Sequence, residues 1–320
     1  MRSQDEGAEG NMALNDRSLR TLARAIKISQ GHFALILVRC NYGALRERMV
    51  ASLRSLLLAE LAESSTSKFD LQELALPTSA KTLYTAILAK ITSTQPNALM
   101  IFGLESVTAC DELLKYTNQI RDRFRKNFSF PLVLWVNEEL LQKLIRLAPD
   151  FKSWAATSIK FEADADELRN FLDSQGLNLF AAILNSGSAN PDDWAIAARN
   201  VMEASLVLSG LDPGSNLKYE LSLACKELCD RGIGLEPDLE ATTEFVLGRY
   251  DQANDLIDSA LARYQQSLEF WNRTSGTHDM MFGKSAYLSV KVTKMAGRAR
   301  LCLTRLPYTH WSFAFVEVSC

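Results

Sequence analysis

Three residues that follow an apolar run near the N-terminus are placed where a chain can hold phosphate groups. Asn41, Gly43 and Arg46 come after residues 33–38, whose length and Val/Ile/Leu content predict a strand buried on both faces. A strand, a tight turn and the start of a helix together present backbone N–H groups to an anion. The chemistry suggested at this position is the binding of nucleotide phosphates.

The residues needed for nucleotide hydrolysis are missing from this loop. A working phosphate loop has the pattern G-x-x-x-x-G-K-[ST], in which Lys neutralises phosphate and Ser or Thr helps to hold Mg²⁺. The chain offers only Gly43, followed by the basic Arg46 and Arg48. Arg46 is either a ligand for an anion at the helix N-terminus or part of a solvated helix face, and the solvated face is favoured.

Two further candidate residues follow later apolar runs. Ala98–Phe102 predicts a strand, but Phe102 stands where a Mg²⁺-binding Asp is expected. Glu105 is either a remnant of that carboxylate or a loop or helix-cap residue, and the second interpretation is favoured. Asn137 follows the apolar run Pro131–Val136. It is placed to sense a terminal phosphate and equally to cap the next helix, which we prefer.

The elements that would position these residues alternate between strand and helix. This rhythm predicts an α/β fold with a doubly wound, mostly parallel five-stranded sheet. The predicted strands are 33–38, 70–76, 98–102, 131–136 and 158–161. The predicted helices begin at Asp16, after Gly43, at Ser79, at Cys110, at Glu138 and at Asp164, with a single helix over 110–128 and with Pro149 ending the helix that begins at Glu138.

The chain is expected to fall into four parts. Residues 1–15 are polar and acidic and are predicted to be disordered. The α/β domain is expected over 16–177, and an all-α region over 178–302. Residues 303–320 carry Leu306, Trp311 and other large apolar residues, and we predict a poorly ordered tail there.

One segment of the helical half fits a tetratricopeptide repeat in register. Residues 241–274 place small or aromatic residues where two helices must approach closely, while Glu244 and Asp251 replace the usual Trp and Tyr. A lone repeat cannot bury its own face, so either preceding helices cover it or the chain was meant to continue. The candidate partner-binding repeat residues are Leu247, Gly248, Ala260, Tyr264 and Ser267.

Residues 33–172 resemble the α/β domain of the signal-transduction ATPases with numerous domains, a family with an AAA-like core and tetratricopeptide or WD repeats. The more specific stretches are 130–137 and 148–154, which resemble a degenerate branch common in cyanobacterial tetratricopeptide-repeat proteins. Residues 264–271 resemble the first repeat of the same proteins. The resemblance implies a P-loop-like fold followed by a protein-binding solenoid. Because the Lys and the Asp are missing, ATP hydrolysis is not carried over.

Bulk properties exclude several classes of function. The net charge of −3 gives no reason to expect nucleic-acid or membrane partners, and no apolar run is long enough to span a bilayer. The basic cluster at 121–126, which runs from Arg121 to Lys126, favours a solvated helix end over a phosphate-backbone contact. Cys225 and Cys229 lie one helical turn apart, and buried thiols are favoured over a metal clip. Reduced thiols point to the cytoplasm.

The sequence therefore predicts a non-catalytic interaction protein, with no cofactor and no metal. Its partner is expected to be a protein bound by the helical repeat region. The alternative is a nucleotide-dependent switch that holds ATP and Mg²⁺ on an unorthodox loop. In that case the ligands would be Asn41, Gly43, Arg46, Glu105 and Asn137.

Overall fold

The chain divides into two compact units, Met1–Asp164 and Ala165–Cys320. A computed structural model describes residues 2–62, 69–91, 95–155, 158–176, 216–254 and 256–274. The boundary lies before residue 177, where the sequence places the end of the α/β domain. The predicted tail, 303–320, and much of the predicted helical region lie outside the described residues.

The first unit alternates strands and helices as the sequence predicts. Its strands are β1 (Ala34–Cys40), β2 (Leu71–Ala75), β3 (Ala98–Phe102), β4 (Pro131–Val136) and β5 (Ser158–Phe161). Its helices are α1 (Arg2–Ile28), α2 (Gly43–Ala62), α3 (Leu83–Lys90), α4 (Cys110–Gln119), α5 (Arg121–Asn127), α6 (Glu138–Leu147) and α7 (Pro149–Ser153), with a 3₁₀ turn at Leu104–Ser106.

The five strands form one parallel sheet in the order β2-β3-β4-β1-β5. The predicted α/β class with a five-stranded parallel sheet is therefore confirmed, and it is consistent with a P-loop-like fold. β4 lies at the centre and pairs with β1, with Leu35 opposite Leu132 and Val38 opposite Trp135. All six residues of β4 are buried, as a strand covered on both faces requires.

Helices cover both faces of this sheet. On one face, Leu37, Ile101 and Leu134 join a core with apolar residues of α3, α4, α6 and α7. The neighbouring residues of the same strands point to the opposite face because side chains alternate along a strand. There the buried residues of α1 and α2 are Leu22, Ala23, Ile26, Leu45, Leu53 and Leu57.

The first helix begins earlier than the sequence predicts. It already includes Arg2, so Asp16 lies inside the helix instead of capping it. Its anchor is the buried Asn15, whose side-chain amide donates to the carbonyl of Glu162 at 2.8 Å and accepts from the N–H of Glu162 at 3.1 Å. This pair of bonds ties α1 to the chain just after β5.

Two other helices also differ from the prediction. α3 is capped by Thr82, whose hydroxyl accepts from the Thr85 N–H, and not by Ser79. The helix predicted over 110–128 is broken at Ile120 into α4 and α5. α6 ends at Leu147, just before Pro149, as the sequence predicts, and Pro149 then begins α7, because a residue without an N–H is tolerated in a first turn.

The regular elements in the described part of the second unit are all helices. It contains α8 (Ala165–Phe171), a π-helical turn (Leu172–Gly176), α9 (Leu217–Asp230), α10 (Pro237–Ala253) and α11 (Ile257–Thr274). α10 ends at Ala253, α11 begins at Ile257, and the two pack on each other as a helical hairpin. In the residues with assigned positions, no helix is both long and apolar enough to cross a membrane.

Candidate functional site

The loop after β1 lies at the carboxyl edge of the sheet, the edge at which α/β proteins bind ligands. α2 begins at Gly43, and its first turn is closed by the Arg46 N–H, which donates to the carbonyl of Tyr42 at 2.9 Å. The structure thus forms the predicted strand, turn and helix. Arg46 is placed one turn into α2.

Arg46 is held by Phe102, at the end of β3, and by Glu105, which follows β3. Its guanidinium donates to a carboxylate oxygen of Glu105 at 2.9 Å and lies 5.8 Å from the ring centroid of Phe102. The Glu105 side chain is only 9% exposed, and the Arg46 side chain is 25% exposed. Both predicted residues therefore meet, and they do so as an ion pair over an aromatic ring rather than as a free cation and a free carboxylate.

Aromatic rings from β3, β4 and β5 form a stack that begins at this ion pair. Phe102 stacks on Trp135 with ring centroids 6.0 Å apart, and Trp135 stacks on Phe161 at 5.7 Å. Phe102 is the last residue of β3, the position at which a nucleotide-hydrolysing domain has a Mg²⁺-binding carboxylate. The stack therefore runs from Arg46 to rings of three strands. The Phe102 ring stands where a hydrolytic site would have a carboxylate oxygen to bind Mg²⁺.

The loop is also fastened to the start of α6. The Asn41 side-chain oxygen accepts from the N–H of Glu138 at 2.9 Å, and Arg39 of β1 forms an ion pair with the Glu138 carboxylate. Asn137 caps α6 by accepting from the N–H of Leu140 at 2.8 Å, which confirms the preferred interpretation of that residue. A hydrogen bond from Gln142, together with the charge of Arg39, lowers the pKa of Glu138.

The structure brings the five predicted ligands to one edge, and four of them have partners within the protein. Arg46 is paired with Glu105, while Asn41 and Asn137 both satisfy N–H groups at the start of α6. Sequence reasoning missed Arg39–Glu138 and the aromatic stack. Phe102 was the sequence signal for the aromatic stack, because it stands where a Mg²⁺-binding Asp is expected. Over the described ranges, no group of three or more His, Cys, Asp or Glu side chains is arranged to hold a metal ion.

The helical unit places all five repeat residues inside the α10–α11 hairpin. A Cβ on Gly248 would lie 2.9 Å from Cε1 of Tyr264 and 3.4 Å from the carbonyl oxygen of Ala260. The Ser267 hydroxyl donates to the carbonyl of Ala241 at 2.7 Å, and Leu247 is buried. These residues therefore position the two helices, and their side chains are not available to touch a partner.

The two departures from the repeat pattern are joined by one basic residue. Arg263 of α11 donates to Asp251 at 3.0 Å and to Glu244 at 2.8 Å. Asp251, whose side chain is 2% exposed, also accepts from Lys218 of α9 and Ser259 of α11, each at 2.5 Å. An ionic network therefore stands where the repeat pattern has two aromatic rings, and it connects three helices.

This network sets the protonation state of Asp251. Burial raises the pKa of Asp251, but hydrogen bonds from Lys218 and Ser259 and the charges of Lys218 and Arg263 outweigh burial, so the pKa lies below its ordinary value. The carboxylate is therefore ionised at neutral pH. The sequence shows that Glu244 and Asp251 replace aromatic residues of the repeat pattern, but it does not show that Arg263 and Lys218 pair with them. The signal was that two acids replace aromatics two turns apart on one helix.

Two of the described cysteines, Cys110 and Cys225, are held in the protonated form. Burial raises the pKa of the Cys225 thiol to about 12 and that of Cys110 to about 11, so both are protonated at neutral pH. A thiolate is the form that attacks or binds metal. Cys229, one turn from Cys225, is exposed. Cys302 and Cys320 lie outside the described residues.

The basic cluster is a short surface helix. Arg123, Arg125 and Lys126 are exposed on α5, and Arg121 donates to the carbonyl of Asn118 at 2.9 Å and pairs with Asp150 at 3.4 Å. One of the four basic groups is therefore bound within the protein. Arg125 and Lys126 lie in the last turn of the helix, where its dipole favours cations.

Comparison with known proteins shows no family for this chain. No family model matches it. PDZ domain-containing protein 8 of mouse (Mus musculus) and of human (Homo sapiens) are each 62% identical over 39 residues, which is 12% of this chain and 3% of the relative. The chain thus spans a very small part of those relatives.

Two solved structures of the Aeropyrum pernix ORC2 protein show a weak likeness. One is 11% identical with a TM-score of 0.35, covering 93% of this chain and 84% of that chain. The other is 12% identical with a TM-score of 0.31, covering 87% and 84%. Such scores support no conclusion on function, so any function must be argued from the site itself.

Proposed function

We propose that this chain is a non-catalytic interaction protein that combines a degenerate P-loop-like domain with a helical partner-binding region. The observation that carries the first half is the Arg46–Glu105 ion pair. In a nucleotide-hydrolysing domain, a basic group near the loop would face phosphate, and a carboxylate after β3 would face Mg²⁺. Here the two groups neutralise each other.

A nucleotide phosphate would find little to stabilise it at this edge. To reach Arg46 it would approach Glu105, whose carboxylate oxygen is 2.9 Å from the guanidinium, and like charges repel. Phe102 supplies no oxygen for Mg²⁺, and the loop has no Lys or Ser/Thr at the positions a phosphate loop requires. These features support a domain that is held together by its own side chains instead of by a ligand.

Isothermal titration with Mg²⁺-ATP tests this half of the proposal. We expect no binding tighter than about millimolar, which corresponds to roughly 4 kcal/mol. The matched variants are Arg46→Ala and Arg48→Ala, because Arg48 is an exposed basic residue of the same helix. A micromolar dissociation constant that is lost in Arg46→Ala and kept in Arg48→Ala would overturn the proposal.

The second half assigns partner binding to the helical unit. The α10–α11 hairpin has the small and aromatic residues of a tetratricopeptide-like unit at its helix–helix contact, and α9 packs on it through the Lys218–Asp251 ion pair. Stacked helix pairs of this kind present a surface for a protein partner. Because the repeat residues are buried, exposed positions of the same helices would make the contact.

A pull-down from a cell extract tests this assignment. The baits are the full chain, the chain ending at Gly234, and the full chain with Gly248→Leu, which forces α10 and α11 apart. We expect a protein recovered with the full chain to be lost with both altered baits. Equal recovery with all three baits would exclude the helical hairpin as the binding surface.

A second candidate function is a nucleotide-dependent switch, and one observation favours it. The second carboxylate oxygen of Glu105 is buried and has no hydrogen-bond partner in the described part of the chain. Buried polar atoms are nearly always paired, so an unpaired oxygen close to the start of α2 calls for an explanation such as a bound cation. Titration with Mg²⁺ alone, then with Mg²⁺-ATP, separates the two candidates.

A further inference from the structure

Helix α9 carries two cysteines on the flank that is turned toward α10. Cys225 and Cys229 are one turn apart, and side chains with this spacing lie on the same side of a helix. Lys218, two turns before Cys225 on the same flank, forms an ion pair with Asp251 of α10. That contact fixes the orientation of the flank, so both thiols lie beside the helical hairpin.

Charged groups of the hairpin surround the Cys225 thiol. Burial raises the pKa of Cys225 most, and Glu244 of α10 raises it next. Arg263 of α11 lowers the same pKa, and Glu240 of α10 raises it. The two carboxylates favour a cation at this place, while Arg263 can offset the negative charge of a pair of thiolates.

Both thiols can be reached without unfolding α9. Cys229 is exposed, and Cys225 is partly exposed. By contrast, Cys110 of the first unit is only 7% exposed. A small ion can therefore enter at Cys229 and reach Cys225 behind it.

The spacing keeps the two sulfur atoms from bonding to each other. Residues one helical turn apart have Cβ atoms about 5–6 Å apart, whereas a disulfide needs about 3.5–4.5 Å. Closing that bond would require α9 to unwind at this turn. An ion placed between the sulfur atoms lengthens the link, so the same spacing suits a sulfur–metal–sulfur bridge within an intact helix.

The number and kind of donor atoms decide which ion fits. Among the residues that the structure describes, no third His, Cys, Asp or Glu side chain is arranged with this pair to hold a metal ion. A structural Zn²⁺ takes four ligands, and Ca²⁺ and Mg²⁺ take oxygen. Soft thiolates select Cu⁺, a closed-shell ion that accepts two ligands in a line.

We propose that Cys225 and Cys229 form a two-coordinate site for Cu⁺. Each thiol loses its proton to solvent as a sulfur–copper bond forms, so one ion releases two protons and copper keeps its oxidation state. The bound site carries one net negative charge and lies near Arg263. This activity is separate from partner binding, because both thiols belong to α9 and not to the contact between α10 and α11.

Titration of the full chain with Cu⁺ in the absence of oxygen, in competition with a coloured Cu⁺ chelator, tests the proposal. The reference protein carries Cys302→Ser and Cys320→Ser, so that cysteines outside the described residues do not enter the count. We expect one Cu⁺ per chain. Cys225→Ser and Cys229→Ser should each weaken binding by about a hundredfold or more, since even groups outside the ligand shell contribute about 10–100-fold. Cys110→Ser is the matched control and should bind as the reference does.

Moving one thiol along α9 tests the geometry. In the Cys229→Ser protein, a thiol is placed back either by Ser222→Cys or by Asp230→Cys. Ser222 lies one turn before Cys225 on the same side of the helix, whereas Asp230 lies about 100° around the helix from position 229. The first change should restore Cu⁺ binding and the second should not. Circular dichroism should show the same helix content in every variant.

Three results would overturn the inference. The first is a chain that binds no Cu⁺, or that still binds it after both Cys225→Ser and Cys229→Ser. The second is equal binding by the two proteins with a relocated thiol. The third is a preference for Zn²⁺ with two chains sharing one ion in sedimentation, because the pair would then be half of a four-thiol site.

Discussion

Arg263 of α11 donates through Nε to the buried carboxylate of Asp251 at 3.0 Å, and one of its terminal nitrogens reaches Glu244 at 2.8 Å. Arg263 therefore pairs with both of the acidic residues, Glu244 and Asp251, that replace aromatic residues of the repeat pattern. Asp251 also forms an ion pair with Lys218 of α9, so the network includes a third helix. The packing of α9, α10 and α11 depends on polar geometry at a point where the repeat pattern relies on aromatic rings.

Replacing Asp251 with Ala should destabilise the helical unit. Lys218 and Arg263 would each lose a charged partner, and removing one member of a buried ion pair leaves the other uncompensated. Because Lys218 and Arg263 are about one-third exposed, we expect a loss of about 1–3 kcal/mol rather than the full cost of a buried charge. Urea unfolding measures it, with the exposed Asp230→Asn as a control that should change stability little. Equal stability of both variants would show that the network contributes nothing.

The contribution of Asp251 should also depend on pH. Its pKa is lowered in the folded state, so the unfolded state binds the proton more readily. The stabilisation is then fully present above the ordinary pKa of about 3.9 and is lost as the pH falls through the lower folded value. The difference in unfolding free energy between the wild type and Asp251→Asn should shrink below about pH 4. A difference that grows on acidification would contradict this sign.

Strand positions in this chain could be predicted because the apolar runs are short and sharply bounded. β3, β4 and β5 begin and end where the sequence places them. Helix ends were harder, since caps are chosen by local hydrogen bonds between similar residues. Ser79 and Thr82 both suit an N-cap, and only the Thr82 hydroxyl meets the free N–H of Thr85. The break at Ile120 has no sequence signal, because helix-forming residues flank it.

The candidate site was located by sequence, but its internal pairing was not. The carboxyl ends of parallel strands share one edge, so Arg46 and Glu105 could be assigned to the same region. Their direct contact depends on the distance between α2 and the turn after β3 in the folded chain. The periodicity and spacing of residues in the sequence do not predict that distance. The same holds for Arg263, which lies far along the chain from Glu244 and carries no motif.

Replacing Asn15 with Ala should loosen α1 from the sheet. Asn15 is 9% exposed, and its amide makes two hydrogen bonds with the backbone of Glu162, which would be left without partners. Leaving buried donors and acceptors unpaired costs about 1–3 kcal/mol. Thermal unfolding of the full chain should show a lowered midpoint, and hydrogen exchange should rise in α1. The neighbouring exposed Asp16→Asn is the control, and an equal effect in both would contradict the role of the amide.

Replacing Gly248 with Ala should destabilise the α10–α11 hairpin through crowding alone. The new Cβ would lie 2.9 Å and 3.0 Å from two ring atoms of Tyr264, whose side chain is fully buried and cannot swing into solvent. Overpacking of this kind costs about 1–3 kcal/mol, although Ala is otherwise the better helix former. Gly234→Ala is the matched control, because a Cβ there meets nothing within 4 Å. Denaturant unfolding should separate the two variants, and Tyr264→Leu should reduce the penalty of Gly248→Ala by removing the clashing ring. If Gly248→Ala proves neutral or stabilising, the close approach of these helices is not set by the glycine.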